Sequence, residues 1–325
     1  MTSPSNHTER SWAHHVVPVE EATQVGEARR LSHALALDAG MSELDAGRVT
    51  LVVNELATNL VRYARAGSVL LRRSGDDGVE IIAVDEGPGM SLTTSMRDGH
   101  STASSRGVGL GAVARASDVF DGWSDPRLGT VLLARIVPRA RRPSIARPRF
   151  DVGAVASSSP PHRRLRDVWA VHQRSGHLAL GIIAGVDGDR ASALATLLEE
   201  RGHEPASSLL ERARTSSGAA RGAVFATIDD GDDLTVAGVG DVAVALMGPA
   251  SSSEIHAAGA TASWAQKRPF AEGALLVVST GGSPRRSPEL AELAARHHPA
   301  LSAAAIWQLG PPGRCGTVLA IKHHA

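Results

Sequence analysis

The chain has 325 residues, 42% of them hydrophobic and 21% charged, a globular composition. At roughly 100–200 residues per domain, this length implies two domains. Lysine plus arginine and aspartate plus glutamate both number 34, so the net charge is zero. A general nucleic-acid or membrane binder would be more basic. Aromatics at 3% are too few for base-stacking platforms, and the single cysteine, Cys315, excludes an internal disulfide framework or a multi-cysteine metal site. No signal-peptide run opens the chain, and no segment approaches the ~18 apolar residues of a membrane span. A soluble cytoplasmic protein is expected, with no nucleic-acid or membrane partner.

Residues 1–10 read as a disordered tail, and His14 to Val19 as an edge strand. Val25 to Ala39 has helical spacing, with Gly40 placed to cap its end. Ser42 to Arg65 is a stronger helical pattern, with Leu51, Val52, Leu56, Leu60 and Val61 assigned to its apolar face. Val69 to Arg73 and Val79 to Val84 read as strands joined by the Gly- and Asp-rich turn 74–78. Gly87 to Arg106 is a loop long enough to suggest function. Gly107 to Ala116 starts a helix, and Gly129 to Ile136 is a strand. Residues 137–149 hold three prolines and five arginines without an acid, the pattern of a basic interdomain linker.

Beyond it, strands are expected at 177–184, 223–228, 234–246, 274–279 and 317–321. Helices are expected at 191–201, 205–214 and 288–296. Adjacent histidines at 14–15, 297–298 and 323–324 point apart on any regular element and read as surface residues.

Three segments in the first half carry chemistry. In Asn54-Glu55-Leu56-Ala57-Thr58-Asn59, Glu55 and Asn59 share a helix face one turn apart. A carboxylate there can activate a nucleophile, and a carboxamide oxygen can help hold a hydrated Mg²⁺. Asp85-Glu86-Gly87-Pro88-Gly89 follows a strand. Asp85 can accept a hydrogen bond from an exocyclic amine, while glycines let backbone approach a purine. Gly107-Val108-Gly109-Leu110-Gly111 enters a helix, where backbone N–H groups and the helix dipole suit phosphates.

That order resembles the GHKL ATP-binding fold of histidine kinases, MutL-type proteins and anti-sigma serine kinases. The segments VVNELATNLVRYARAG, VDEGPGM and RGVGLGAVARASDVFDGWSDPRLGT are most similar to the RsbT/RsbW-type switch kinases of bacterial partner-switching systems. The resemblance covers residues 11–136. It implies ATP and Mg²⁺ as cofactors, Glu55 as catalytic base, Asn59 as Mg²⁺ ligand and Asp85 as adenine contact. Gly87 and Gly89 would shape the adenine pocket, and Gly107, Gly109 and Gly111 the phosphate loop. Thr130 would form the last nucleotide-contacting turn, and residues 91–106 the ATP lid. The implied activity is that of a serine/threonine protein kinase acting on a STAS-domain antagonist. An ATP-gated docking regulator and a bifunctional kinase–phosphatase are the alternatives. The oligomeric state stays open, a homo-oligomer included.

Residues 150–325 resemble the SpoIIE/RsbX group of metal-dependent phosphatases through RDVWAV, HLALGIIAGVDGDRASALA, LTVAGVGDVAVAL, GALLVVSTGG and GTVLAIK. Of the implied aspartate ligands only Asp167 is present. The others align with Ala184, with Thr280, and with Arg314 or Cys315. Asp187 and Asp189 lie nearby but are displaced. A Mn²⁺ or Mg²⁺ pair is therefore not expected, and Asp167 is expected to be a surface or hydrogen-bonding residue. The expected fold is an ATP-binding α/β sandwich with a mixed sheet, followed by a phosphatase-like α/β/β/α sandwich.

Overall fold

In the computed structural model, the residues described are 7–10, 13–64, 66–75, 78–96, 109–141, 149–157, 166–174, 176–186, 190–217, 220–248, 252–280, 282–283, 287–310 and 316–324. The chain divides into two compact units: His14–Ala146, and Met1–Ala13 together with Arg147–Ala325. Residues 7–10 depart from the expected disordered tail. They form β1 (His7–Arg10), an outer strand of the second unit's larger sheet.

The first unit contains β2 (His15–Val19), α1 (Ala22–Asp38), α2 (Glu43–Tyr63), β3 (Gly67–Arg73), β4 (Val79–Asp85), α3 (Leu92–Ser95), α4 (Gly109–Ala116), β5 (Val119–Asp125) and β6 (Gly129–Ile136). Its sheet runs β2-β3-β4-β6-β5. Every pairing is antiparallel, so the expected mixed sheet is corrected. The connections β3–β4 and β5–β6 are short hairpins, and short hairpins join antiparallel strands.

Helix α1 starts at a capping box, Glu21 with Gln24. Ser42 caps α2 by accepting the Asp45 N–H at 3.2 Å. Alternate strand residues Val69, Leu71, Val79, Ile81, Ala83, Leu132, Ala134 and Ile136 meet Val49, Val52, Val53, Leu56 and Leu60 of α2 in one core. Leu51 lies outside it, 40% exposed. It stands four residues before Glu55 and shares that residue's face, not the core face of Val52 and Leu56.

Charge is also buried in this unit. Glu80 is fully enclosed, with Arg72 Nε at 2.5 Å, Arg135 Nε at 2.6 Å and His14 Nε2 at 3.5 Å. Burial pushes its carboxyl up, but the two guanidinium groups prevail and hold it well below the usual carboxylate range. His14 is thus buried, against expectation. Arg48 of α2 bonds Asp45 and Asp118 at 2.9 Å each, and donates to the Ala116 carbonyl at the end of α4. It thereby ties α2 to the C-terminus of α4.

The second unit adds β7 (Phe150–Ser157), β8 (Asp167–Arg174), β9 (His177–Ala184), α5 (Arg190–Arg201), α6 (Ala206–Ser217), β10 (Gly222–Ile228), β11 (Asp233–Gly240), β12 (Ala243–Met247), β13 (Ser252–His256), β14 (Ala260–Pro269), β15 (Leu275–Ser279), α7 (Pro288–Arg296), α8 (Pro299–Gln308) and β16 (Gly316–His323). One antiparallel sheet runs β1-β8-β9-β10-β11-β14 and the other β13-β12-β15-β16-β7. Trp169, Val171, Leu180, Val224 and Val236 face Val152, Val244, Leu276, Leu319 and Ile321 across the interior. The alternate residues Val168, Ala170, Ile183 and Phe225 face α5 and α6. Helix α8 packs on β7 at Gly153, where a Cβ would collide with the Ala300 backbone. This is the four-layer α/β/β/α order expected from the resemblance.

The expected single strand 234–246 is two strands in different sheets. The chain changes sheets at Asp241-Val242, after Gly240 takes a φ of +80°. His323 is buried as well, stacked against Phe270 with ring centroids 5.7 Å apart. In the basic stretch, Val137 is buried in the first unit and Arg149 donates to the Gly176 carbonyl at 2.5 Å in the second. Residues 142–148 between them lie outside the described residues.

Candidate functional site

The first unit holds a cavity of about 580 Å³, within the usual range for small-ligand pockets. Helix α2 lines it with Asn54, Glu55, Thr58, Asn59, Arg62 and Tyr63. Leu56 and Leu60 of the core face line it too, so the cavity runs along the border between the buried and polar faces of α2. The sheet supplies Ala83, Asp85, Thr130 and Leu132, all on the face that meets the helices, and Pro88, Gly89 and Met90 close one side. Thr94 and Ser95 of α3, in the described part of the expected lid, and Gly109 and Leu110 at the start of α4 line it as well.

Asp85 is the last residue of β4 and pairs in register with Thr130 of β6. It is only 7% exposed. Its Oδ1 accepts the Gly87 N–H at 2.7 Å, and Thr130 bonds it through both backbone and side chain. Burial pushes its carboxyl up, and the bonds from Gly87 and Thr130 oppose that rise. The Thr130 hydroxyl lies 3.0 Å from Ser124 Oγ, which accepts the Met90 N–H at 2.8 Å. A polar chain therefore runs from Asp85 through Thr130 and Ser124 to the loop after β4. Two glycines make this geometry possible. At Gly129, φ is +89° and a Cβ would collide with the Asp85 carbonyl oxygen. At Gly89, φ is +74° and a Cβ would sit 3.0 Å from the Asp125 carbonyl.

The cavity thus brings together Glu55, Asn59, Asp85, Gly89, Gly109 and Thr130. Gly87 stands behind it, bonded to Asp85, and Gly111 is buried within α4. Gly107 lies outside the described residues, as does the expected lid beyond Met96. Arg62, Tyr63 and Ser124 escaped the sequence reading. Arg62 continues the Glu55–Asn59 face at the next turn, so helical periodicity could have found it. The donor set suits Mg·ATP: a buried acceptor for an amine, a carboxamide oxygen for a hydrated hard cation, and glycine N–H groups opening a helix.

In the second unit Asp167 opens β8 and is 3% exposed, so the surface alternative is corrected in favour of hydrogen bonding. Thr280 Oγ1 donates to its Oδ2 at 2.6 Å and Gly185 N to its Oδ1 at 3.3 Å. Its cross-strand partner is Ala184, whose side chain offers no ligand atom. Among the described residues no group of three or more His, Cys, Asp or Glu side chains could hold a metal. These donors do not fit a pair of divalent cations. Asp187, Asp189, Arg314 and Cys315 lie outside the described residues. Among the described residues, no helix is long and apolar enough to cross a membrane.

The family model of the histidine kinase-like ATPase domain matches residues 18–136, the stretch that forms this cavity. The serine/threonine-protein kinase RsbT of Bacillus subtilis (strain 168) is 37% identical over 97 residues, 29% of this chain and 73% of its own length. Among solved structures, RsbX in complex with magnesium is 14% identical, covers 53% of this chain and 93% of its own, and has a TM-score of 0.43. The phosphatase domain of SpoIIE from Bacillus subtilis is also 14% identical, with 55% and 96% coverage and a TM-score of 0.39. Through residues 18–136, the chain belongs to the histidine kinase-like ATPase family, alongside RsbT.

Proposed function

We propose that the first unit is a Mg·ATP-dependent serine/threonine protein kinase of a bacterial partner-switching system, acting on a STAS-domain antagonist protein. The observation that carries this is the convergence of Glu55, Asn59 and Asp85 on one cavity. Asp85 accepts the adenine amine and is held in place by Gly87 and Thr130. The N–H groups at the start of α4 face the phosphates. Asn59 would hold Mg²⁺, which supplies charge neutralisation at the phosphates. Glu55 takes the proton of the partner's hydroxyl as that oxygen bonds to the γ-phosphorus and the bond to the β-phosphate oxygen breaks. ADP leaves, and a phosphoserine or phosphothreonine remains on the partner. Catalysis of this kind is mainly positioning and charge stabilisation.

The second unit we read as a docking or regulatory module, not a phosphatase, because Asp167 is engaged by protein donors and Ala184 offers no carboxylate. The test is incubation of the full chain with γ-labelled ATP, Mg²⁺ and the STAS protein encoded nearest to it. Label on that protein, lost with Glu55→Gln, supports the kinase. ATP binding without transfer would move the assignment to an ATP-gated docking regulator.

A further inference from the structure

Asp167, Ala184 and Gly222 form a lateral row where three neighbouring strands end, since Asp167 pairs with Ala184 and Ala184 with Gly222. Arg221 stands just before β10, and its backbone is fixed on both sides. Its N–H donates to the Ala184 carbonyl at 2.8 Å, and its own carbonyl accepts the Asp241 N–H at 3.1 Å. From there the side chain crosses the end of β9, and its guanidinium stands 3.6 Å from Asp167 Oδ1. The crossing is possible because the residue beneath it is Gly185. There φ is +82°, and a Cβ would lie 2.8 Å from Arg221 Cγ. The other carboxylate oxygen reaches the second sheet through Thr280, whose Oγ1 in turn accepts the Thr317 N–H at 2.8 Å.

We propose that Arg221 is a built-in cation at this locus, so that the Asp167 site is a metal-free clamp between the two sheets. Three features meet at this place. Ala184 supplies no competing carboxylate, Gly185 leaves the path open, and Arg221 brings one positive charge to the single remaining aspartate. A guanidinium at this position repels a divalent ion and also supplies the charge that Asp167 needs. The locus then generates no metal-bound hydroxide, and the second unit holds its shape whatever the free Mg²⁺ or Mn²⁺ concentration. This goes beyond the kinase assignment and does not depend on it, since the test is run without nucleotide.

The experiment is thermal unfolding of the full chain, nucleotide-free, with and without millimolar MnCl₂. The variants are Asp167→Asn, Arg221→Gln and the double variant, and Mn²⁺ electron paramagnetic resonance on the wild type gives stoichiometry independently of folding. Metal at about one hundred times its Kd would raise Tm by about 5–10 °C. The expected result is no such rise and no bound Mn²⁺ in the wild type. Each single variant should lower Tm, and the double variant should be no worse than Asp167→Asn alone. Stoichiometric Mn²⁺ binding that disappears in Asp167→Asn would overturn the proposal. Strictly additive Tm losses would overturn it too, because the two side chains would then not be acting on each other.

Discussion

Asp85→Asn separates nucleotide recognition from folding. The carboxylate only accepts hydrogen bonds, and the protein already aims three donors at it: the Gly87 N–H at 2.7 Å and the Thr130 N–H and hydroxyl. An adenine amine would be the fourth, and two oxygens have lone pairs for four. An asparagine keeps one oxygen and turns the other position into a donor. Either the Thr130 side or the ligand side then faces donor against donor. A buried group left without its partner costs about 1–3 kcal/mol, which is about a 5- to 150-fold rise in Kd for ATP. Folding should respond differently. Burial pushes the Asp85 carboxyl up, so its charged form is disfavoured in the folded state. A raised acid contributes most at low pH and loses that contribution as pH rises through its folded value. Removing the charge therefore relieves a burial cost at neutral pH while loosening the bonds to Gly87 and Thr130, and Tm should move little. Calorimetry with Mg·ATP and thermal unfolding of the same preparation measure the two effects. An Asp85→Asn protein that is fully folded and binds ATP with wild-type Kd would refute the placement of Asp85 against the adenine.

Glu55→Gln should bind Mg·ATP normally and lose about 10²–10⁴-fold in transfer to the partner, as followed by label incorporation. Glu80 is held low between Arg72 and Arg135, so its stabilisation is complete above the ordinary carboxylate pKa and is lost as pH falls through its lowered folded value. Glu80→Gln removes the charge facing the buried Arg72 and the partly buried Arg135 and should cost about 3–5 kcal/mol at neutral pH in denaturant unfolding, with the difference from wild type shrinking on acidification. Gly47 stands inside α2 with nothing within 4 Å of an added Cβ. Gly47→Ala should therefore stabilise the first unit by about 0.5–1 kcal/mol, read as a higher urea midpoint.

The elements most legible in the sequence were those whose periodicity is strong and whose polar residues lie on one side. Helix α2 is such a case: Ser42 starts it, and Val52, Leu56 and Leu60 mark its buried face. Strand β5 is the opposite case. Its sequence, Val119-Phe120-Asp121-Gly122-Trp123-Ser124-Asp125, is rich in residues that strands avoid, and all seven positions are half-buried. Pairing with β6 makes it a strand, and pairing is not a local property. Missing β5 also meant missing Ser124, the link between Thr130 and Met90. The run 234–246 failed for another reason. Both pieces are apolar enough for either sheet, and only the turn at Gly240 shows where the chain leaves one for the other.

The same distinction divides the two sites. Glu55 and Asn59 lie one helical turn apart, and Asp85 ends a strand with glycines behind it, so local chemistry was enough to mark them. At Asp167, the resemblance implies where further aspartates would stand but not what stands there instead. Arg221 lies 54 positions further on, between Ala220 and Gly222, in no motif. Only the antiparallel order β8-β9-β10 brings its strand end within two strands of Asp167. In the sequence Gly185 merely follows Ala184, with nothing to mark it. In the fold it has a purpose of its own, since its missing side chain is the path the arginine takes. An aspartate absent from a motif can be read from a sequence alone. A replacement requires knowing which chain ends meet, and here they meet at an arginine.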